Sequence, residues 1–379
     1  MTRYNIQQQF LELVRAGLFP DYNARIITHG ESVDWSILYR FAEEQSVMGI
    51  VAAGIEKLPA SERPPMEVVL QFIGSTFQLE QRNEAMNAFV AKLMEQFRAG
   101  DIYAILVKGQ GIAQCYEEPL WRACGDVDLL LSESNYERAK EMLHSLATDV
   151  ETEYTHFKHQ GMTIDGWVVE LHGTLHCRLS KRVDDGIDAT QRELFYGGKV
   201  RSVEFNNSSG SKVQVFLPAP DEDVIFVFTH ILHHFFFEGI GLRQICDWCR
   251  LLWTYKDSLN HGLLESRIRK MGLMSEWKAF AAFAVKWLGM PAEAMPLFDE
   301  NDNLDKKADK ICKFVLEVGN FGHKQRRDYS GMSYLRRKFV SVWGRLSDML
   351  RHFQLFPKDS IVFFGGVLRS GLHAAVRGE

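Results

Sequence analysis

Two aspartates separated by one residue are the feature of this sequence that points most directly to chemistry. Asp126 and Asp128 lie in the run GDVDLL at residues 125–130. Because side chains alternate along a strand, both carboxylates face the same side and Val127 and Leu129 face the other. Neighbouring carboxylates repel each other, and their burial is unfavourable unless a cation joins them. The pattern predicts a site for a hard divalent cation such as Mg²⁺, or Mn²⁺, which binds oxygen ligands and substrate phosphate.

A third carboxylate lies in another apolar segment. Glu170 belongs to the run WVVELH at residues 167–172. If the two strands are neighbours, three carboxylates converge, which is enough for two ions about 3.5–4 Å apart serving in-line phosphoryl transfer. A D-x-D pair alone also occurs on solvated strand faces, but this one lies inside an apolar strand. We therefore expect Asp126, Asp128 and Glu170 to be catalytic residues and metal ligands.

A glycine-containing turn precedes the aspartates. Lys108, Gly109, Gln110 and Gly111 follow the apolar run at residues 102–107. Glycines let backbone N–H groups approach phosphate oxygens, and the first turn of a following helix adds a favourable dipole. The turn therefore predicts a phosphate-binding segment, with Lys108 supplying a charge. The alternative is a tight strand-to-helix connection without a ligand.

One arginine near the aspartates is a second candidate for binding phosphate. Arg122 lies four residues before Asp126 and could bind phosphate oxygens through its guanidinium group. A surface ion pair with Glu117 or Glu118 is an equally good interpretation.

The strands that must position these groups are short and apolar. The runs at residues 102–107, 127–131 and 167–172 are typical of strands buried on both faces. We expect the third run to pair with a strand near residues 153–158. Two further segments, 199–205 and 212–217, flank a turn-rich stretch and predict a hairpin.

Helical periodicity dominates both flanks of this region. The sequence predicts an N-terminal helical region at residues 1–100, a catalytic core at 101–217 and a C-terminal helical region at 218–379. The fold class is therefore α+β, with a small mixed sheet between helical regions. A long helix is expected from about 65 to 98, and Ser134 is expected to cap the helix after the second strand.

The segment from Leu106 to Leu131 resembles a known signature. The run LVKGQGIAQCYEEPLWRACGDVDLLL is similar to that of the bacterial uncharacterised nucleotidyltransferases, a family of the DNA polymerase β-like superfamily. Glu170 and His172 match the third acidic position of the family and the histidine after it. Gln110 stands where the wider superfamily has a serine that contacts phosphate. The residues in register are Lys108, Gly109, Tyr116, Pro119, Arg122, Gly125, Asp126 and Asp128.

This resemblance implies an activity. A nucleoside monophosphate would pass from an NTP, ATP among the candidates, to an acceptor hydroxyl or phosphate, with Mg²⁺ or Mn²⁺ as cofactor. The resemblance also implies that His172 contributes to the nucleotide site. Two alternatives remain: a non-catalytic nucleotide-binding or scaffold protein on the same fold, and a metal-dependent phosphohydrolase in which water replaces the acceptor.

Composition narrows the class of protein. The chain has 379 residues, 46% hydrophobic and 25% charged, which is typical of a soluble globular protein. The net charge of −5 gives no overall signature of a nucleic-acid-binding protein. The N-terminus lacks the basic start and apolar core of a signal peptide, and no apolar run is long enough for a transmembrane segment. We therefore expect a cytoplasmic protein.

Several other polar groups have simpler interpretations. His230, His233 and His234 lie on an apolar helix, where we expect core histidines, although His230 could line the nucleotide cleft. Arg243 and Asp247 have the i,i+4 spacing of an ion pair within a helix.

Two further patterns are interpreted as structural features rather than as functional sites. Cys246 and Cys249 form a C-x-x-C without a second such pair, which favours packed, reduced cysteines over zinc. Residues 323–352 form a weakly basic patch that could meet an anionic partner, nucleic acid or a membrane surface. An amphipathic helix with its basic face in water is the preferred interpretation.

Overall fold

A computed structural model describes residues 3–22, 25–26, 33–154, 158–237, 239–319, 352–357 and 360. The predicted basic patch at 323–352 lies outside the described residues except for its last residue, His352, which is buried against Phe235. Among the residues that the structure describes, no helix combines the length and hydropathy that a membrane-spanning segment requires.

Helices precede and follow a central sheet. The first group comprises α1 (Arg3–Leu18), α2 (Trp35–Glu44), α3 (Met48–Glu56) and the long α4 (Met66–Ala99). Those between strands are α5 (Gly109–Ala113), α6 (Glu133–His144) and α7 (Lys181–Tyr196). The last group comprises α8 (Pro220–Phe237), α9 (Leu242–Thr254), α10 (His261–Met271), α11 (Met274–Leu288) and α12 (Asp305–Val318).

The sheet is small and mixed. Its strands are β1 (Ala104–Val107), β2 (Val127–Leu131), β3 (Asp149–Val150), β4 (His159–Ile164) and β5 (Trp167–His172). Their order is β1-β2-β5-β4-β3, and only the β2–β5 pair is parallel. A separate hairpin joins β6 (Val200–Asn206) to β7 (Lys212–Pro218). The predicted α+β class is confirmed.

One predicted strand is misplaced. The partner of β5 is β4 rather than residues 153–158, because Asp165 and Gly166 form a two-residue turn with φ angles of 50° and 80°. Positive φ at both positions is typical of the type I′ turn, which suits the twist of a hairpin. The turn fixes the register so that His172 lies opposite His159.

Alternation along the strands divides the sheet into two faces. Leu106, Leu129 and Leu131 join a core with the second half of α4, with α6 and with the β6–β7 hairpin. Val107 and Leu130 face the other way, into the core formed by the remaining helices. Asp128 shares the face of Leu130, because the two residues are two positions apart. The carboxylates therefore lie between the sheet and the helical layer.

The helix after β2 begins earlier than expected. Ser132 is its N-cap, while the predicted cap, Ser134, lies within α6. The cap follows the last strand residue, Leu131, so the end of β2 sets the start of the helix.

Candidate active site

The parallel strand pair brings two carboxylates side by side. Asp128 on β2 is in direct register with Glu170 on β5. Neighbouring residues in register on parallel strands point to the same face, so both side chains leave the sheet together. Asp126 lies just before β2 and lines the same cavity. The structure therefore brings together the three acidic residues that the sequence singled out.

Asp128 is the buried centre of this group. Its side chain is 4% exposed, and its Oδ1 atom accepts a hydrogen bond from Lys108 Nζ at 2.9 Å. The Nε2 atom of His172 lies 2.8 Å from the same oxygen. Two donors on one carboxylate oxygen stabilise its ionised form. Burial raises the pKa of Asp128, but Lys108 and His172 outweigh that effect and hold it below its usual value.

Glu170 is flanked by two imidazoles. Its Oε2 atom lies 3.2 Å from His159 Nε2 and 3.5 Å from His172 Nε2. The two rings stack with their centroids 4.7 Å apart. Burial raises the pKa of Glu170, but the bonds with His159 and His172 lower it well below its ordinary value. Sequence reasoning missed His159, although the Asp165-Gly166 turn carries the register that places it here.

Asp126 has the opposite electrostatic environment. The negative charge of Asp128, burial and the charge of Glu170 raise its pKa to about 6. Three carboxylates in one cavity thus carry more negative charge than the cations around them offset. A divalent ion would relieve that excess, so the donor set fits the predicted Mg²⁺ or Mn²⁺.

The carboxylates open into a cavity of about 470 Å³ between the sheet and helices α8 and α9. His230, His233 and His234 of α8 line it. His234 is buried, as expected for a core histidine, and its Nε2 lies 3.0 Å from that of His230. Burial and nearby Lys108 place the pKa of His230 well below the usual value, so this ring is neutral at neutral pH. His230 therefore lies at the wall of the cavity, where the sequence allowed it to line a nucleotide cleft.

The KGQG turn reaches the cavity at its first two residues. Lys108 and Gly109 line the cavity. Lys108 has a φ of 57°, a conformation that a residue with a Cβ adopts only when its surroundings impose it. Gln110 is buried and points at the sulfur of Met86. Gly111 packs under Leu217, where an added Cβ would come within 2.9 Å.

The helix that follows this turn is short. α5 has five residues, so its dipole is smaller than the prediction assumed. The structure therefore directs only Lys108 and Gly109 of the predicted phosphate segment toward the carboxylates.

Arg122 has a partner that the sequence did not suggest. Its Nη2 donates to Asp247 Oδ2 at 2.5 Å and its Nε to Oδ1 at 3.1 Å. The third nitrogen, Nη1, donates to the Ala123 carbonyl at 3.0 Å. Tyr116 also donates to Asp247 Oδ1, at 2.8 Å. The suggested surface pairing with Glu117 or Glu118 is wrong, because Arg122 is only 6% exposed and faces α9.

The hydrogen bonds of Arg122 and Tyr116 to Asp247 leave Arg243 without its predicted partner. The predicted ion pair with Asp247 is wrong, because Asp247 accepts from Arg122 and Tyr116 instead. Arg243 Nη1 donates to the Ala123 carbonyl at 3.0 Å, while its buried Nε has no hydrogen-bond partner. The side chain lines the cavity and attracts Asp126. No sequence signal marked it, because local spacing favoured the pair within the helix.

The cysteines are packed as reduced residues, as the sequence predicted. All six are free and buried, including Cys246 and Cys249 on α9. Burial raises the pKa of both thiols, which keeps them protonated and chemically inert.

Comparisons with known proteins identify the family of this chain. Among solved structures, the chain is similar to the crystal structure of an antigenic nucleotidyltransferase-like protein from Paracoccidioides brasiliensis. That similarity has 15% sequence identity and a TM-score of 0.30, and it covers 50% of this chain and 90% of the other. A comparison with curated proteins finds no match. The profile of the uncharacterised nucleotidyltransferases matches residues 31–289, which include every residue of the cavity described above. The chain belongs to this family of uncharacterised nucleotidyltransferases.

Proposed function

We propose that the protein is a metal-dependent nucleotidyltransferase that moves a nucleoside monophosphate from an NTP to an acceptor hydroxyl or phosphate. The observation that carries this proposal is the register of Asp128 against Glu170, with Asp126 in the same cavity. Family membership supports the reaction class. Asp126, Asp128 and Glu170 would hold the divalent ions, which supply charge neutralisation for the triphosphate and a lower pKa for the attacking hydroxyl.

Lys108 is the first proposed contact for the triphosphate. Its Nζ now bonds to Asp128, a position it holds as a counter-charge to the carboxylates. Lys108 would turn its ammonium group from Asp128 to a phosphate oxygen in the same cavity when Asp128 serves as a metal ligand. Gly109 also lines the cavity, and its backbone N–H is proposed as a further contact because a glycine lets a ligand approach the backbone closely.

Arg243 is the second proposed contact, in place of Arg122. All three nitrogens of Arg122 are already engaged, whereas Arg243 keeps an unpaired Nε. Burial, and then repulsion from Arg122, lower the pKa of Arg243. Arg243 lines the cavity, so a phosphate group bound there could pair with its guanidinium group.

His172 is proposed to position Asp128 rather than to contact the nucleotide. Its Nε2 lies within hydrogen-bond distance of that carboxylate, and its ring is 10% exposed. The neutral His230, which lines the cavity, is the group proposed to accept a proton from the acceptor.

The proposal is tested with α-labelled NTPs, Mg²⁺ or Mn²⁺, and fractionated cell extract as the source of acceptors. We expect pyrophosphate release together with transfer of the label, and loss of both in an Asp126→Asn/Asp128→Asn double variant. Release of pyrophosphate or phosphate without any acceptor would indicate a phosphohydrolase. Metal-dependent nucleotide binding without any product would indicate a binding protein and contradict the proposed function.

A further inference from the structure

His159, Glu170 and His172 form a group that the three-carboxylate site does not require. The two histidines lie opposite each other on β4 and β5, and Glu170 is two positions from His172 on the same face. Their side chains are between 10% and 28% exposed, so an ion from solvent can reach them. One ligand atom from each residue lies within 4.8 Å of the other two.

The spacing already suits a bound ion. Zinc and similar ions hold nitrogen and oxygen ligands at about 2.0–2.1 Å, which places tetrahedral ligands about 3.3 Å from one another. Glu170 Oε2 lies 3.2 Å from His159 Nε2 and 3.5 Å from His172 Nε2. An ion could therefore enter between the three groups with side-chain adjustment alone.

The donor types indicate which ions would bind. Mg²⁺ and Mn²⁺ prefer oxygen ligands, whereas imidazole nitrogen suits Zn²⁺ and the later first-row ions, among which Co²⁺ lies between Fe²⁺ and Ni²⁺ in the usual order of affinity. We propose that His159, Glu170 and His172 form a site selective for a first-row transition-metal ion over Mg²⁺. The proposal rests on the proposed function in that Glu170 is shared with the catalytic carboxylates, and binding of the ion would take His172 Nε2 from Asp128. Binding of the ion itself requires no nucleotide.

The alternative is that the histidines serve only as counter-charges. His172 bonds to Asp128 as well as approaching Glu170, and burial of its ring is offset by these acids, which raise its pKa. A protonated imidazole nitrogen cannot bind a metal. The two interpretations therefore make opposite predictions about whether Co²⁺ binding depends on His159. An ion at this site would replace the Nε2 protons, whereas counter-charges would leave Co²⁺ binding independent of His159.

His176 provides a matched control. It lines the same cavity, and its side chain is 22% exposed, against 25% for His159. Its Nε2 is bound to Asp188 at 2.6 Å, outside the proposed site. Replacing either histidine with glutamine removes one imidazole from the cavity while keeping a polar side chain.

The experiment is a titration of the full chain with Co²⁺, without nucleotide, followed by visible absorption and calorimetry. We expect the His159→Gln variant to bind Co²⁺ about 10- to 100-fold more weakly than the wild type. The His176→Gln variant should match the wild type. Excess Mg²⁺ should compete poorly with Co²⁺ in the wild-type protein.

The outcomes separate this proposal from the proposed function. Equal Co²⁺ affinity in the wild type and the His159→Gln variant would overturn the transition-metal site, as would equal losses in both glutamine variants. Absence of Co²⁺ binding to the wild type would also overturn it. None of these results depends on nucleotide transfer, and failure of transfer would leave the Co²⁺ titration unchanged.

Discussion

Two groups of charged residues only a few side chains apart are built for different purposes. In the closed group, Arg122, Asp247 and Tyr116 pair with one another in a mostly buried network, of which Arg122 and Asp247 also reach the cavity wall. In the open group, Asp126, Asp128 and Glu170 face a cavity, with too few cations to balance them. A charge that is fully paired stabilises the fold, whereas a charge that is left in excess stabilises a ligand.

The largest expected effect is loss of turnover in the open group. Asparagine at both Asp126 and Asp128 keeps the shape of the side chains but removes the charges that would hold divalent ions. We expect nucleotidyl transfer to fall by at least about 1000-fold, corresponding to about 4 kcal/mol of transition-state stabilisation. Steady-state assays measure the loss, and circular dichroism checks the fold. A double variant with near wild-type turnover would contradict the assignment.

The closed group should respond in stability instead. Arg122→Gln leaves Asp247 buried without its cation, and we expect the free energy of unfolding to fall by about 3–5 kcal/mol. Denaturant unfolding measures it. The Arg122→Gln/Asp247→Asn double variant should recover part of the loss, because both charges are then absent. Additive losses in the double variant would show that the pair is not coupled.

An Arg243 variant tests whether this residue belongs to the open group or to the closed group. The Arg243→Gln variant should lose about 10- to 100-fold in NTP affinity, or about 1.4–2.8 kcal/mol, because it removes a charged donor from the cavity. Its free energy of unfolding should fall by about 1 kcal/mol, because only the hydrogen bond from Nη1 to the Ala123 carbonyl is lost while the Nε is unpaired in the nucleotide-free protein. Calorimetry and denaturant unfolding measure the two quantities. The opposite pattern, lost stability with unchanged affinity, would assign Arg243 to the closed group.

The smallest expected effect is a difference in the free energy of unfolding between variants of Asp126 and of Asp128. Because Asp128, burial and Glu170 raise the pKa of Asp126 to about 6, Asp126 is mostly ionised at neutral pH, and its charge makes folding less favourable than it would be with an ordinary pKa. Asp126→Asn should therefore increase the free energy of unfolding by about 1 kcal/mol. Asp128→Asn should decrease it, because Lys108 and His172 lose an ionised partner. Thermal unfolding without metal compares the variants, and equal shifts of the same sign would refute this distinction.

The open group was predictable from the sequence and the closed group was not. Strand alternation placed Asp126 and Asp128 on one face, and apolar runs located β2 and β5 correctly. Arg122 and Asp247 are 125 residues apart, so only the packing of α9 against the core could join them. Local spacing suggested Arg243 as the partner of Asp247, and long-range packing replaced that pair.

His159 shows an intermediate case. The partner of β5 was placed several residues too early, which hid the imidazole beside Glu170. The information was present in the Asp165-Gly166 dipeptide, whose turn geometry fixes the register. Deriving the hairpin register from the Asp165-Gly166 turn would have placed His159 beside Glu170. The pattern of apolar residues alone does not give that register.

The most direct test of the account is calorimetric titration of the wild-type protein with each NTP, in the presence and absence of Mg²⁺ or Mn²⁺. The account predicts binding that requires the metal, that is lost in the Asp126→Asn/Asp128→Asn variant and that is weakened by Arg243→Gln. Binding that is independent of metal, or equal in the wild type and the double variant, would contradict the claim that the open carboxylate group holds the nucleotide through divalent ions.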